Sequence, residues 1–364
     1  MNIAALISGG VDSSVSVHLL CEQGYKPDLF YIKIGMEDEG FTCTQEEDVE
    51  MATSIAKKYG LNFNIIDLQK EYWNNVVKYT IDKVAHNLTP NPDVMCNRLI
   101  KFGAFHDKVG KDYDKIMTGH YATTIEDENG LIWLGTGVDL VKDQTDFLSQ
   151  IETWQLNKAL FPIGNLPKSE VRRIATENKL VTATRKDSQG ICFLGKINYN
   201  DFIKKYLGEK EGDIIEFESG KKLGKHKGFW FHTIGQRKGL YLSGGPWYVC
   251  KKDAEQNIVY VTKNPNVNEW LVQKQGLNKF GNVNIHLNGV NWITKRPFPN
   301  ADDSIWQLTE TNPHITFKIR HSPEFYKGVI ANYNDFWFIK PIDKVNGVAP
   351  GQFCTIYSEN NKIC

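Results

Sequence analysis

The chain has 364 residues, 41% of them hydrophobic and 24% charged, with equal numbers of acidic and basic side chains. This length predicts two or three domains, and the zero net charge excludes a protein whose whole surface binds nucleic acid electrostatically. No apolar run approaches the roughly 18 residues of a membrane helix, and the N-terminus has no basic and apolar leader. We therefore expect a cytoplasmic protein without a membrane partner.

The first 140 or so residues alternate strand-like and helix-like patterns. Predicted strands cover residues 3–7, 29–34, 63–68 and 115–118, and predicted helices cover 13–23, 45–59, 72–87 and 97–109. This alternation is typical of an α/β domain with a doubly wound parallel sheet. Such sheets bind ligands at the carboxyl ends of their strands.

The pattern changes further along the chain. Residues 145–183 read as mostly helical, and short alternating runs dominate after residue 201. We therefore expect three domains: an α/β domain at 1–200 that includes a helical region at about 145–200, a small β-rich central domain at 201–268, and a C-terminal β-barrel at 269–364.

A glycine-rich turn, SGGVDSS at Ser8–Ser14, joins the first predicted strand to the first helix. Unpaired backbone N–H groups and the helix dipole make such a turn an anion site, and serine hydroxyls add donors. Asp12 is expected to hold Mg²⁺ or to cap the helix. The turn lacks the lysine of the Walker loop, and a helix-capping turn without a ligand is the alternative.

The seven cysteines include no CxxC pair, which gives a zinc site little support. Cys96 falls near the start of a predicted helix, where the dipole and Arg98 favour the thiolate and Asp93 is placed to move a proton. A capping Asp93 beside a buried cysteine is the alternative. Cys192 lies in a polar, cationic stretch, Arg185–Phe193. The Ser8–Ser14 loop resembles the SGGxDS loop of the PP-loop ATP pyrophosphatases, which adenylate a substrate, and two activated cysteines together with such a loop indicate sulfur transfer.

Basic residues concentrate at 158–205 and 221–238. These stretches predict a docking surface for a polyanion, with Arg172 and Arg173 facing its phosphates, and solvated helix faces are the alternative.

Seven motifs in a fixed order carry a resemblance to a known family: SGGVDSS, NPDVMCNRLIKF, TGHYA, KDQ, FPIG, KDSQGICF and HTIGQRKGL. Together they resemble the tRNA-specific 2-thiouridylases of the MnmA/TrmU family, members of the PP-loop ATP pyrophosphatase superfamily with an adenine nucleotide alpha hydrolase-like fold. The resemblance implies ATP-dependent adenylation of the wobble uridine of tRNA, position 34, followed by sulfur transfer. It also implies Mg²⁺ and a sulfur-donor protein, either a cysteine desulfurase or a sulfur-relay protein.

The resemblance assigns roles to the matched residues. Cys192 would carry the persulfide, Cys96 would be its partner cysteine, and Asp93 would move protons. The residues implied to bind ATP are Leu6, Ile7, Ser8, Gly9, Gly10, Val11, Asp12, Ser13, Ile32 and Gly119. The residues implied to contact tRNA are Asn91, Pro92, Asp93, His120, Lys142, Asp143, Gln144, Arg320, His321 and Gln352.

Two other classes of protein share parts of this pattern. A PP-loop amidoligase that adenylates a small molecule would explain the Ser8–Ser14 loop, but it would need neither cysteine. A noncatalytic RNA-binding protein with a degenerate loop would not need Asp12, Cys96 and Cys192 intact. The residues leave open whether sulfur passes directly from the persulfide or as released sulfide.

Overall fold

The computed structural model describes residues 1–35, 45–187, 198–266, 285–294, 314–333, 336–345, 347–358 and 362–363. Cys192, the predicted sulfur carrier, lies outside these ranges. Within them, every helix is too short or too polar to cross a membrane.

The described residues form nine α-helices, some of them joined by wider helical turns. The π-helical segments Trp73–Val77 and Asn97–Ala104 connect α3 to α4 and α5 to α6 without a break. The helices are α1 (Val11–Glu22), α2 (Gln45–Tyr59), α3 (Gln69–Tyr72), α4 (Lys78–Ala85), α5 (Pro92–Cys96), α6 (Phe105–Lys108), α7 (Thr153–Lys158), α8 (Lys168–Glu177) and α9 (Tyr199–Leu207).

Seventeen strands lie in the same ranges and form three sheets. They are β1 (Ile3–Leu6), β2 (Asp28–Lys33), β3 (Phe63–Asp67), β4 (Lys115–Met117), β5 (Ala122–Glu126), β6 (Ile132–Thr136), β7 (Ala159–Leu160), β8 (Gly212–Glu216), β9 (Lys222–His226), β10 (Tyr248–Asp253), β11 (Ile258–Thr262), β12 (Ile285–Leu287), β13 (His314–Lys318), β14 (Tyr326–Tyr333), β15 (Phe336–Pro341), β16 (Thr355–Tyr357) and β17 (Lys362–Ile363).

The first sheet is fully parallel, with strand order β3-β2-β1-β4-β7. Its central strand β1 is buried on both faces: Ala4 and Leu6 join one hydrophobic cluster, and Ile3 and Ala5 join another. Because side chains alternate along a strand, an uninterrupted apolar run serves two cores at once. The predicted doubly wound α/β fold is confirmed. β2 and β4 flank β1, so the winding of the chain reverses there and leaves a crevice at the carboxyl ends of the strands.

The second sheet confirms the predicted small β-rich region. Its four strands lie in the order β10-β11-β8-β9, and only the β11–β8 pair is parallel. A separate apolar cluster packs against it, built around Ile214, Val249 and Val259.

The third sheet has eight antiparallel strands in the order β12-β15-β14-β13-β16-β17-β6-β5. It forms the predicted C-terminal β-barrel region. Its last two strands, β5 and β6, come from residues 122–136, and they are joined to it by the two-residue strand β17. The sheet thus combines strands from the C-terminal region with a hairpin from residues 122–136, and the division at residues 200 and 268 stays a prediction.

Two predicted helical segments need correction. Residues 145–183 hold a strand, β7, as well as the helices α7 and α8, because the backbone becomes extended at Ala159 and pairs with β4. The helix expected at residue 97 begins at Pro92, because the Asn91 side chain caps it by accepting from the backbone N–H groups of Asp93 and Val94 at 3.1 and 3.3 Å.

Candidate active site

The Ser8–Ser14 loop lies where β1 ends and α1 begins, at the crevice of the parallel sheet. Gly10 is the N-cap residue of α1, and the first intrahelical bond runs from the Ser14 N–H to the Gly10 carbonyl at 3.2 Å. The N–H groups of the first helical turn therefore have no acceptor within the helix, which is the arrangement that binds phosphate. Ser13 and Ser14 are buried, and their hydroxyls donate to the Gly10 carbonyl. These hydrogen bonds shape the loop, and the role of the two hydroxyls as phosphate donors stays a prediction.

Gly9 is held in a position that no other residue could take. Its φ is +73°, and a Cβ there would lie 2.6 Å from the Asp48 carbonyl oxygen. Arg185 fixes this arrangement, because its guanidinium donates to the Gly9 carbonyl at 2.8 Å and pairs with the Asp48 carboxylate. The loop is thus clamped to α2 by a residue from the far end of the α/β region.

Gly119, just after β4, lies against the start of α1, since a Cβ there would approach the Ser13 nitrogen to 2.8 Å. The structure therefore places this residue and the loop together, as the resemblance implied. Its neighbour His120 is buried, and its Nδ1 lies 2.8 Å from the Thr118 hydroxyl. Burial, and then Lys101, hold the pKa of His120 well below its usual range, so the ring is neutral at physiological pH. Its tRNA contact stays a prediction.

Asp12 lies in the first turn of α1, and side chains from two other segments bind its carboxylate. The Lys168 ammonium donates to both oxygens, at 2.7 and 2.9 Å, and the Tyr121 hydroxyl donates to one at 2.8 Å. Burial, and then the Asp12 carboxylate, raise the pKa of Tyr121 well above its usual range, so this hydroxyl stays protonated. No side chain caps α1, so the cap role that the sequence allowed for Asp12 is not the observed one.

Asp187 shares the same lysine. Its carboxylate lies 2.8 Å from the Lys168 ammonium and 3.1 Å from that of Lys142, and it also pairs with Arg172. Burial raises the pKa of Asp187, but the hydrogen bonds from Lys168 and Lys142 outweigh it and bring the value to about 2. The carboxylate is therefore ionised at neutral pH. Lys168 links it to the loop.

The helix that begins at Pro92 carries the second predicted centre. Asp93 lies in its first turn and is partly exposed, whereas Cys96 is 2% exposed. The Arg98 guanidinium lies 2.8 Å from the Glu152 carboxylate, and its support of the Cys96 thiolate stays a prediction. Cys96 also lies beyond the first helical turn, where the dipole acts most strongly.

The three residues of the KDQ motif have different environments. Lys142 is partly exposed beside Asp187, and the Gln144 side chain accepts from the Tyr121 backbone N–H at 3.2 Å. Asp143 is 1% exposed, and its carboxylate accepts from the Gly137 N–H, the Thr145 hydroxyl and the Lys318 ammonium. Protein groups thus enclose the Asp143 carboxylate, and the contact of this residue with tRNA stays a prediction.

The pair of Asp143 and Lys318 ties β13 to the α/β region at 2.9 Å with both side chains wholly buried. Replacing Lys318 with methionine is expected to lower stability by about 3–5 kcal/mol, because it leaves a buried carboxylate without its counter-charge. The midpoint of urea unfolding, followed by tryptophan fluorescence, measures this loss.

The matched control is Lys222→Met, which breaks an exposed pair with Asp213 and should cost less than about 1 kcal/mol. Adding Asp143→Leu to Lys318→Met should recover part of the loss, because an apolar pair needs no counter-charge. A double variant no more stable than the single one would contradict this account.

The predicted tRNA contacts in the C-terminal region each have an intramolecular partner. Arg320 donates to the Gly347 carbonyl, and the Gln352 side chain accepts from the Ala349 N–H at 2.8 Å. His321 stays 45% exposed, with its Nδ1 3.2 Å from the Asp146 carboxylate. These three contacts stay predictions.

Several residues of the basic stretches form ion pairs where the structure describes them. Arg173 pairs with Glu170 and Glu177 on its own helix, and Arg172 pairs with Asp187. A phosphate would have to share these guanidinium groups with carboxylates, and the contact of Arg172 and Arg173 with phosphates stays a prediction. In the second stretch, Lys222, Lys225 and Lys227 pair with Asp213, Glu211 and Glu209.

Sequence reasoning did not assign roles to Lys168 and Tyr121, which bind Asp12, or to Asp187, which binds Lys168. Tyr121 and Asp187 lie inside quoted motifs, TGHYA and KDSQGICF, so a signal was present for them. Lys168 reaches Asp12 across 156 residues of chain, and no local pattern predicts that contact.

The fold and loop define a class of protein: an α/β nucleotide-binding domain followed by two β-rich domains. Three family models match the chain: the tRNA methyl transferase HUP domain at residues 1–196, the tRNA methyl transferase PRC-barrel domain at 200–263, and the aminomethyltransferase beta-barrel domain at 284–364.

Curated relatives match the chain over its whole length. A protein of Bacteroides thetaiotaomicron named tRNA-specific 2-thiouridylase MnmA 1 is 58% identical, covering 100% of this chain and 98% of that protein. A protein of Parabacteroides distasonis named tRNA-specific 2-thiouridylase MnmA is 55% identical over 100% of this chain and 97% of that protein. A protein of Bacteroides fragilis named tRNA-specific 2-thiouridylase MnmA 2 is 54% identical over 100% of this chain and 98% of that protein. The chain belongs to the family of tRNA-specific 2-thiouridylases. The methyltransferase wording of the domain models differs from these names, and full-length identity is the stronger guide.

Proposed function

We propose that this chain is a tRNA uridine 2-sulfurtransferase, which uses ATP to convert the wobble uridine of tRNA, position 34, to 2-thiouridine. The observation that carries the proposal is the Ser8–Ser14 loop, set at the sheet crevice in a chain 58% identical over its whole length to a named 2-thiouridylase. The Asn91–Cys96 segment adds a cysteine and a carboxylate at one helix start.

The first chemical step converts the C2 oxygen of uracil into a better leaving group. This oxygen attacks the α-phosphorus of ATP, which gives an adenylated oxygen and releases pyrophosphate. The loop N–H groups would bind the phosphates, Gly119 and Ile32 would contact the adenosine, and Asn91, Pro92 and Asp93 would hold the base. Leu6, Ile7 and Val11 are buried, so they would shape the loop from behind.

The second step transfers sulfur. The terminal sulfur of a Cys192 persulfide attacks C2, the C2–O bond breaks, and AMP leaves. The Cys96 thiolate then attacks the Cys192 sulfur, which releases 2-thiouridine and leaves a Cys96–Cys192 disulfide. Asp93 would take the Cys96 proton, and an external thiol would reduce the disulfide. A sulfur-donor protein would reload Cys192.

Asp12 fits a Mg²⁺ site in part. The described residues hold no group of three histidine, cysteine or acidic side chains that could bind a metal by themselves. Mg²⁺ commonly uses one or two carboxylates together with substrate phosphates, and Asp12 supplies one carboxylate beside the loop. The ion would neutralise charge on the phosphates, and Asp12 would hold it there.

The test uses purified protein, ATP, Mg²⁺, a sulfur donor and an unmodified tRNA transcript with uridine at position 34. We expect 2-thiouridine by mass spectrometry, with pyrophosphate released over many turnovers only when tRNA and the donor are both present. The matched control is the same transcript with cytidine at that position, which should give neither product.

Pyrophosphate release with a small-molecule acceptor and ammonia, without tRNA, would favour the amidoligase alternative. tRNA binding without ATP turnover would favour a noncatalytic RNA-binding protein. Either result would contradict the proposal.

A further inference from the structure

The phosphate-binding loop has no cation of its own. Ser8–Ser14 contains one carboxylate and no lysine or arginine, so its formal charge is opposite to what a triphosphate needs. Backbone N–H groups and a helix dipole offset part of this, but a dipole contributes only about half a unit charge. A cation from elsewhere in the chain would supply, beside Mg²⁺, the positive charge that the loop lacks.

Lys168 is placed to be that cation. Its ammonium lies 2.7 and 2.9 Å from the two Asp12 carboxylate oxygens and 5.7 Å from the centre of the Tyr121 ring. The lysine is the first residue of α8, and the Asp139 carboxylate accepts from its backbone N–H at 2.9 Å. The side chain is 14% exposed, so its position is set by packing and not by solvent.

The cations around this lysine can take up an additional anion. Lys168 bridges two carboxylates, Asp12 and Asp187, and Asp187 is also paired with Lys142 and Arg172. Asp187 thus keeps two cationic partners when the Lys168 ammonium turns to a phosphate. Lysine suits the task because its ammonium is a compact charge with three donors on a flexible stem, able to turn from a carboxylate to a phosphate.

We propose that Lys168 binds the β- and γ-phosphates of ATP and the pyrophosphate formed from them, with Asp187 as the counter-ion that positions its ammonium. The inference rests on the proposed use of ATP. When the bond between the α-phosphorus and the bridging oxygen breaks, negative charge grows on the departing pyrophosphate, and the ammonium neutralises it without losing its proton. Lys168 thereby takes the place of the lysine that a Walker loop carries within its own sequence.

The experiment compares ligands that differ only in their phosphates. Binding of ATP, AMP and inorganic pyrophosphate, each with Mg²⁺, is measured by calorimetry on the native chain and on Lys168→Met, Lys168→Arg and Lys115→Met. We expect Lys168→Met to weaken ATP and pyrophosphate binding by roughly 10- to 100-fold, as for loss of a charge-assisted hydrogen bond, with AMP binding within about twofold. Lys168→Arg should keep part of the affinity. Lys115, at the opposite end of β4, is the control and should change nothing.

The variant Asp187→Asn is expected to change ATP binding in the opposite direction to Lys168→Met. Removing a carboxylate that competes for Lys168 should strengthen ATP binding by about two- to fivefold, whereas a purely structural role for Asp187 would weaken it. Equal losses for ATP and AMP in Lys168→Met would overturn the inference, as would unchanged pyrophosphate binding. Thermal melting of each variant reports its folding, and Lys168→Arg keeps the test valid if the methionine variant unfolds.

The two proposals fail differently. A native chain that forms 2-thiouridine and a Lys168→Met variant that binds ATP normally would overturn only this inference. A native chain that makes no 2-thiouridine, together with a selective loss of ATP and pyrophosphate binding in Lys168→Met, would overturn only the proposed product.

Discussion

Replacing Cys192 with serine is expected to abolish formation of 2-thiouridine and to leave tRNA binding within a few-fold of the native value. A serine hydroxyl cannot carry a persulfide, so no sulfur reaches the activated base, whereas the tRNA contacts predicted elsewhere stay in place. The residue follows Arg185, Lys186 and a glycine in a polar stretch, which suits a reactive thiolate better than a packing position.

The measurement is incorporation of labelled sulfur into tRNA, with tRNA affinity taken from filter binding on the same preparations. Cys21→Ser is the matched control, because Cys21 lies partly buried in α1 and burial raises the pKa of its thiol, which keeps it unreactive. Incorporation above a few per cent in Cys192→Ser would show that another group carries the sulfur.

The α/β part of the fold could be predicted because local patterns of apolar residues and helix-end signals specify its strands and helices. The apolar run of β1 serves two buried faces, and the helix signals around α1 and α2 end at glycine residues. The β5–β6 hairpin was missed although Asn129-Gly130 lies between two alternating strands, a recognised hairpin signal. Within the sheet, β6 of this hairpin pairs with β17 near the C-terminus, and sequence patterns do not indicate pairing between such distant segments.

The candidate site was predicted less completely than the fold. Motifs identified Asp12, Asp93 and Cys96, but the groups that set their surroundings come from distant segments. Asp143 shows the physical reason: its motif sits in a loop, yet Lys318, 175 residues away, decides that its carboxylate is an internal anchor. Ion-pair partners depend on tertiary packing, so the sequence of a cationic stretch such as that around Arg172 does not indicate which of its side chains pair with carboxylates.

Replacing Asp12 with alanine is expected to lower pyrophosphate release by roughly 100-fold or more and to raise the ATP concentration required. The carboxylate would hold Mg²⁺ at the phosphates, and a bound metal ion supplies several kcal/mol of stabilisation to developing charge. Its loss also leaves the Tyr121 hydroxyl without its acceptor and removes one of the two carboxylates that hold Lys168.

Pyrophosphate release is followed as Mg²⁺ is raised at saturating ATP and tRNA. Asp114→Ala is the control, because Asp114 precedes β4 at the opposite edge of the sheet, where its carboxylate accepts from the Asn2 N–H. Asp12→Asn separates charge from shape, since it keeps an oxygen for Tyr121 but carries no charge for a metal ion, and it should be nearly as defective as the alanine variant. Release that equals the native rate at every Mg²⁺ concentration would instead exclude Asp12 as a metal ligand, because a missing ligand must change the dependence on the metal.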